Sequence, residues 1–417
     1  MQIRSFGCAQ YKAFRDPVSV ELRPLTLFFG KNNSGKSALL RLVRLLLRAA
    51  SDRLRGEEFP LDVDGLSYGT EFLDLVHGRL PSSHVAFNLA LDHNGKQFDL
   101  KTEVQHILGV SFDRSVLSRA QLNVDDKHWE WQFIPDRERG SVSAALEWVP
   151  ARGLWPHAWM SESSPEELRH QIDYWRSGIA RFEDGLTHLG PVRAPIALAY
   201  KPKQPTPLAF DGEGFINWLA RDTELLRRVG DWFATHLDGW RFALDFSGFM
   251  VECILRKGGI TINMTNAGQG MQQLLPIVVL QLAHQTGLAG PFFDLVEEPE
   301  SSLHAAAHAA LGDLFLETAK LGQGQVLVET HSENLLLRIR RRIAEGKADP
   351  ELVALYWVED CAEGFSRVQR IHIARNGEVD WWPTGIFSED YQEVRALRRA
   401  NLERNQKERV VDRSENQ

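Results

Sequence analysis

The run Gly30-Lys31-Asn32-Asn33-Ser34-Gly35-Lys36-Ser37 has the spacing G-x-x-x-x-G-K-S. That pattern is a phosphate-binding loop: its glycines let successive backbone N–H groups turn towards one anion, while a lysine and a hydroxyl reach further along the phosphate chain. Lys36 is expected on the β and γ phosphates and Ser37 on Mg2+. Gly30, Asn32, Asn33, Ser34 and Gly35 supply the rest of the cradle. A second group of reactive side chains ends the apolar run Pro291-Phe292-Phe293-Asp294-Leu295-Val296-Glu297-Glu298-Pro299-Glu300. There Glu297 would hold Mg2+, directly or through water, and Glu298 would orient and polarise the attacking water. A third run, Gly324-Gln325-Val326-Leu327-Val328-Glu329-Thr330-His331-Ser332, brings His331 to a strand end, within reach of a γ-phosphate or that water. Strand ends of a mostly parallel sheet converge on one ligand crevice.

The surrounding elements suit these tasks. Leu25–Phe29 is a short apolar β-prone run and Ala38–Leu47 reads as helix, so strand, glycine loop and helix follow in the required order. The segment Thr265–Leu275 contains Gly268 and Gly270 and opens an apolar helix. Alone it is a turn before a buried helix. Its place just ahead of the acid-ended strand makes it a second phosphate-facing candidate, with Asn266, Gly268 and Gly270 as the contacting residues.

Composition sets wide limits. With 417 residues, 43% hydrophobic and 25% charged, the chain is an ordinary globular protein of two or three domains. A net charge of −8 argues against a strongly basic nucleic-acid binder but leaves room for a local basic face. Cys8, Cys253 and Cys361 lack the paired spacing of a zinc site or disulfide framework. Met1-Gln2-Ile3-Arg4 lacks a signal-peptide core, and Leu274–Leu282 is too short to span a bilayer, so the chain reads as cytoplasmic.

Along the chain, residues 1–29 read as two or three strands, and 83–100 as a hairpin turning at Asp92-His93-Asn94-Gly95. A charged stretch, Ser51–Glu58, follows the first helix. Trp129, Trp131, Trp148, Trp155, Trp159 and Trp175 crowd residues 101–186. They fill the core of an inserted subdomain or form a nucleic-acid stacking platform. Ser164-Pro165 starts a helix over Leu168–Phe182, and Gly214–Leu237 is helical. Arg241–Leu255, Ile260–Met264, Val353–Val358 and Val368–Ile373 read as strands. Asn334–Glu345 is a basic helix whose arginines are solvated or touch nucleic-acid phosphates. Asp390–Gln417 reads as a charged helix and tail. No sustained heptads and no internal repeat are visible, which argues against a long coiled-coil arm.

The order of P-loop, glycine-containing signature, acid-ended strand and strand ending in His resembles the ABC-type ATPase heads of the SMC, RecF and OLD-like group. Glu297-Glu298-Pro299-Glu300-Ser301-Ser302-Leu303-His304 resembles the OLD-like form, in which Glu replaces the usual first Asp. Tyr11-Lys12-Ala13-Phe14 is similar to the segment lying near the nucleotide in that group, which places Lys12 there. Leu75-Val76-His77-Gly78, Leu189–Pro195 and Trp382–Phe387 resemble a bacterial AAA-family ATPase type with a DUF3696-like C-terminus. The resemblance covers roughly 1–100 and 187–390. It implies an α/β P-loop NTPase fold of ABC-ATPase type with a mixed β-sheet core, an N-terminal antiparallel β-subdomain and an inserted α/β or helical subdomain. The domains expected are ATPase lobe I (1–100), an inserted subdomain (101–186), lobe II (187–390) and a charged tail (391–417).

In such heads two protomers sandwich two ATP molecules. Carried onto this chain, Lys36, Ser37, Glu297, Glu298 and His331 act in cis, while Asn266, Gly268 and Gly270 contact the γ-phosphate in trans. The common signature opens with Ser and paired glycines; Asn266-Ala267-Gly268-Gln269-Gly270 departs from it. His77 stands near the place of a missing Q-loop glutamine. The cofactors implied are ATP and Mg2+, and the partners a second copy of the chain and a separate nuclease or toxin effector, with nucleic acid as a further ligand. The residues left after the head are too few for the TOPRIM nuclease of OLD proteins, so none is expected. The readings are a slow ATPase switch in an anti-phage or genome-maintenance complex, a RecF-like DNA-repair ATPase, or a non-hydrolysing scaffold bridged by ATP.

Overall fold

The computed structural model describes residues 1–54, 59–81, 83–108, 113–132, 151–288 and 290–383. Glu58, Trp148 and the tail from Thr384 lie outside these residues, including the helix expected over Asp390–Gln417. Met1–Glu378 form one compact unit and Val379–Gln417 another.

A six-stranded sheet carries the strand-end residues. Its order is β12 (Leu186–Leu189), β16 (Phe292–Glu297), β17 (Gly324–Thr330), β3 (Leu25–Gly30), β18 (Val353–Asp360) and β19 (Ser366–Ile371). All neighbours are parallel except β18 and β19. β3, β16 and β17 are buried nearly end to end, as apolar strands covered on both faces must be. A second, wholly antiparallel sheet runs β2 (Val18–Glu21), β1 (Gln2–Ala9), β6 (His84–His93), β7 (Lys96–Leu108), β8 (Asp113–Val124) and β9 (Lys127–Gln132). The β6–β7 turn is Asn94-Gly95, with φ of 51° and 76°, the left-handed pair that a two-residue hairpin requires. Residue 101 falls inside β7, so this sheet runs on past the expected boundary at 100.

The mixed fold with an antiparallel N-terminal sheet is therefore the expected one. Smaller pieces complete it: the ribbons β4 (Asp62–Val63) with β5 (Leu66–Ser67) and β10 (Ala151–Arg152) with β11 (Trp155–Pro156), and a three-stranded sheet β13 (Arg241–Ser247), β14 (Met250–Lys257) and β15 (Ile260–Asn263).

The helix after the P-loop, α1 (Lys36–Ala50), packs over β3, β16 and β17, and shares one core with the antiparallel sheet. Register defines the face it covers. Leu295 pairs with Leu327, Glu297 with Glu329, Glu329 with Phe28 and Phe28 with Tyr356, so these side chains share one side of the sheet. A helix enclosed in this way must be apolar nearly all round. Beyond Lys36 at its first position, its exceptions, Ser37, Arg41, Arg44 and Arg48, recur at helical spacing and form one polar stripe. Gln325 joins the two sheets, accepting from Ile3 N–H and donating to Ile3 C=O, both at 2.9 Å.

The remaining α-helices among the described residues are α2 (His157–Met160), α3 (Glu166–Glu183), α4 (Phe215–Leu219), α5 (Thr223–His236), α6 (Gln269–Gln285), α7 (Ala305–Ala319) and α8 (Glu333–Ala344). The helix expected over 214–237 divides into α4 and α5, because Asp222 caps a fresh start by accepting from Leu225 N–H at 2.7 Å. The tryptophans fill core. Trp155, Trp159 and Trp175 are buried, and Trp129 and Trp131 pack against the same cluster. Trp155 Nε1 donates to Ala50 C=O at 2.9 Å at the end of α1, and the Trp175 and Phe98 rings lie 4.8 Å apart.

Replacing Trp175 by Ala should cost about 3–5 kcal/mol in urea unfolding, the usual penalty for emptying an aromatic core site. The half-buried Trp131 should cost less when truncated. Equal and small losses at both positions would count against this packing role.

Candidate nucleotide-binding site

The P-loop leaves β3 at Gly30 and enters α1 at Lys36. A Cβ on Gly30 would lie 2.2 Å from Val358 C=O, and Gly35 holds φ at 93°, so both positions need glycine. Asn33 takes φ 62°, a left-handed conformation that Asn tolerates. Lys31, Asn32 and Asn33 are exposed, whereas Ser34 and Lys36 are buried. Lys36 Nζ donates to Lys31 C=O at 2.7 Å. Burial lowers the Lys36 pKa, against the pull of Glu329, Glu298 and Glu300.

The turn Tyr11–Phe14 packs on this loop: Phe14 and Ala13 are the nearest neighbours of Gly35. Lys12 Nζ donates to Tyr68 C=O at 2.9 Å, and burial with the nearby Arg41 lowers its pKa. His77 stands 2.7 Å from Lys12 C=O through Nδ1, and its N–H donates to Gln10 C=O. His77 thus braces the Lys12 turn.

The polar stripe of α1 meets the strand ends in register. Ser37 Oγ donates to Glu329 Oε1 at 2.8 Å. One turn later Arg41 forms a two-pronged ion pair with Glu297, at 2.7 and 2.6 Å. Arg44 reaches His188 Nδ1 at 3.3 Å and Asp64 at 3.0 Å, and Arg48 reaches Asp64 and Glu183, both at 2.9 Å. His188 Nε2 lies 2.8 Å from Glu297 Oε1. Because Arg44 can only donate, His188 Nδ1 accepts and Nε2–H is the donor to Glu297. Burial lowers the His188 pKa, in keeping with a neutral ring. Burial also pushes Glu297 upwards, but the His188 and Arg41 hydrogen bonds outweigh it and hold the carboxyl below its usual range.

Ser37 and Glu297, the two residues expected on Mg2+, hydrogen-bond different partners here, Ser37 to Glu329 and Glu297 to Arg41 and His188. β17 lies between β3 and β16, so its own acid, Glu329, meets the serine, while Glu297 on the next strand meets Arg41. Glu298, Glu329 and His331 each bring a ligand atom to one place, all within 4.8 Å. Glu298 sits at φ 43°, strained for a non-glycine residue, and is fastened by N–H to Glu329 C=O at 2.9 Å and by Ser301 Oγ to its carboxylate at 2.8 Å. The His331 ring bonds the Gly30 carbonyl, and burial together with Lys36 lowers its pKa. Its N–H donates to the buried Glu300.

Glu329, Arg41, His188, Arg193 and Glu300 escape a motif-based reading. Arg193, in the quoted Gly190–Pro195 segment, points its guanidinium at the Glu297 and Glu298 carbonyls, the latter at 3.3 Å. Burial lowers its pKa to about 10. Its backbone is gripped by Gln273 of α6, at 2.7 and 2.8 Å. The available signals were the arginine spacing in an apolar helix and Glu329 two residues before His331.

Asn266 and Gly268 lie exposed at the start of α6. Gly270 is buried, and a Cβ there would meet Ser302 C=O at 2.2 Å. Its need for glycine thus arises within the chain. Among the described residues, no hydrogen bond joins Asn266, Gly268 or Gly270 to the P-loop. In the basic helix α8, Arg338 and Arg342 pair with Asp313, at 2.8 and 2.6 Å.

Residues 1–124 match the family described as AAA ATPase domain, and residues 220–338 match AAA domain, putative AbiEii toxin, Type IV TA system. The first span holds Lys12 and the P-loop; the second holds Asn266 to His331. No curated protein matches the chain in sequence. Among solved structures, the Smc head bound to the C-terminal winged-helix domain of ScpA aligns with TM-score 0.50 and 13% identity, over 90% of this chain and 99% of that one. The SMC head domain from Thermotoga maritima aligns with TM-score 0.44 and 13% identity, over 89% and 100%. The Smc head with an extended coiled coil, bound to the C-terminal domain of ScpA from Pyrococcus furiosus, aligns with TM-score 0.44 and 14% identity, over 89% and 96%. Two stretches of the chain thus match AAA-type ATPase domain models, in an SMC-head-like P-loop fold. No helix of the described residues is long and apolar enough to cross a membrane.

Burial raises the Glu329 carboxyl from its ordinary 4.5 to about 7, against the Ser37 hydrogen bond. The unfolded chain releases this proton near pH 4.5 and the folded protein near pH 7, so the folded state binds more protons between those values. Its stability should fall as pH rises through that window, by on the order of 3 kcal/mol. In metal-free buffer, Glu329→Gln should gain on wild type by that amount between pH 4.5 and 7 and run parallel to it above. Urea unfolding at several pH values measures this, and a constant difference would refute the assignment.

Proposed function

We propose that this chain is a Mg2+-dependent ATPase switch that closes into a dimer around ATP, hydrolyses it slowly and controls a separate effector. The observation that carries the reading is one crevice: the P-loop, Ser37, Glu298, Glu329 and His331 converge from three adjacent strand ends.

The residues fit Mg·ATP. The exposed loop at 31–33 offers backbone N–H groups to phosphate, and Lys36 leaves Lys31 C=O for the β and γ phosphates. Ser37 and a strand-end acid would hold the ion: Glu297 by its place in the resembling heads, or Glu329 by its contact with Ser37. Beside Ser37 a Glu329 oxygen is buried without a hydrogen-bond partner among the described residues, as suits a cation site. Mg2+, when bound, neutralises charge on the transferred phosphoryl group. Glu298 takes a proton from the attacking water as its oxygen bonds the γ phosphorus, and the bond to the bridging oxygen breaks to release ADP. His331 positions that water or the γ-phosphate, and Lys12 flanks the nucleotide. Asn266 and Gly268, exposed and unconnected to their own P-loop, serve the partner's nucleotide, with Gly270 shaping the turn that presents them.

ATP bridging two heads favours the closed state by its differential affinity. The AbiEii and Type IV TA description matching residues 220–338 supports a defence system, with a toxin or nuclease as effector and nucleic acid as a candidate trigger. A winged-helix domain on a head of this fold is a precedent for such a protein partner.

The test is mass in solution with and without Mg·ATP, for wild type and Glu298→Gln. Removing this base should slow turnover by about a hundredfold or more, leave ATP binding intact and trap a dimer. Unchanged mass with surviving hydrolysis would reject both the base and the sandwich.

A further inference from the structure

The ends of β16 and β17 offer more carboxylates than one divalent cation needs, and they are not equally available. Resting on the nucleotide reading above, the choice between them follows from which oxygens are already taken. Glu297 is 1% exposed, with Oε1 bonded by Arg41 Nε at 2.7 Å and His188 Nε2 at 2.8 Å, and Oε2 bonded by Arg41 at 2.6 Å. Freeing it would strand the half-buried Arg41 and break a chain that runs through the buried His188 and Arg44 to Asp64. Glu329 is 3% exposed, with Oε1 on the Ser37 hydroxyl at 2.8 Å and Oε2 buried without a hydrogen-bond partner among the described residues. An orphaned carboxylate oxygen beside the P-loop serine is what a hard cation needs, since Mg2+ selects oxygen ligands.

We propose that Glu329 is the acid that shares the divalent cation with Ser37, and that Glu297 is a positioning residue fixing α1 to the sheet. Geometry provides the division. Glu297 and Glu329 stand opposite each other on one face of the sheet, and Ser37 and Arg41 stand one helical turn apart above them. The serine meets one acid and the arginine neutralises the other. His331, a nitrogen ligand bonded to the Gly30 carbonyl, stays outside the ion's oxygen set.

The experiment titrates a fluorescent ATP analogue into wild type, Glu329→Gln, Glu297→Gln and Ser37→Ala, each in EDTA and in excess Mg2+. The readout is the affinity gained from Mg2+, not turnover. Glu329→Gln should bind as wild type does in EDTA and lose about tenfold or more of the Mg2+ gain. Ser37→Ala should match it, and the double variant should lose no more than either alone. Mn2+ with ATP, followed by electron paramagnetic resonance, should bind more weakly to Glu329→Gln by the same factor. Glu297→Gln should keep the Mg2+ gain while melting at a lower temperature. If it does not fold, the Ser37 and Glu329 variants decide alone. A full Mg2+ gain in Glu329→Gln, or its loss only in Glu297→Gln, overturns the assignment while the nucleotide reading stands. No analogue binding by wild type, or binding that Lys36→Ala leaves intact, overturns both.

Discussion

One helix lies between two sheets, and it must be apolar enough to be buried yet charged enough to serve an anion site. α1 meets both demands by confining its polar groups to Lys36 at its start and to the stripe Ser37, Arg41, Arg44 and Arg48. A buried arginine is tolerable only with a partner. The strand ends supply Glu297 and His188, the 62–67 ribbon Asp64 and the end of α3 Glu183, in matching order. The P-loop is rigid at its helical end because that stripe is satisfied along its length. Positioning of the first hydroxyl in the stripe, Ser37, is thus inherited from ion pairs well away from any phosphate.

The acid turn is held by equally specific means. Arg193 takes its carbonyls, Glu329 C=O takes the Glu298 N–H, Glu300 takes the His331 N–H and Gly270 lies against Ser302. A strained residue such as Glu298 persists only where its surroundings over-determine it. These contacts come from the 190–195 loop, β17 and α6, so the turn reports on all three. A shift of α6 on a partner's nucleotide would be felt at Glu298 through Gln273 and Arg193.

Much of this was legible in the residues. A glycine loop between strand and helix, an apolar run ending in acids and a strand ending in His are local patterns, and each became the element it suggested. The Asn94-Gly95 hairpin was equally plain, because a two-residue turn is written in its own backbone needs. What stayed hidden was pairing at long range. Nothing adjacent to Ser37 announces that its partner is Glu329, nearly three hundred residues away, because strand order decides it. The acidic partners of Arg41, Arg44 and Arg48 likewise lie elsewhere in the sequence and meet them only in the assembled fold. The tryptophans were ambiguous for the same reason, since only the fold shows which face of a strand has a neighbour.

The position of β3 also governs the order of events during synthesis. The strand carrying the P-loop lies between β17 and β18, so both its neighbours come from more than 290 residues downstream. A ribosome adding about 5–20 residues per second needs on the order of fifteen seconds to a minute to deliver them. Throughout that interval the nascent chain has a phosphate loop on a strand whose sheet neighbours have not been made. The loop's strand gains both its sheet neighbours only after residues 324–360 have emerged.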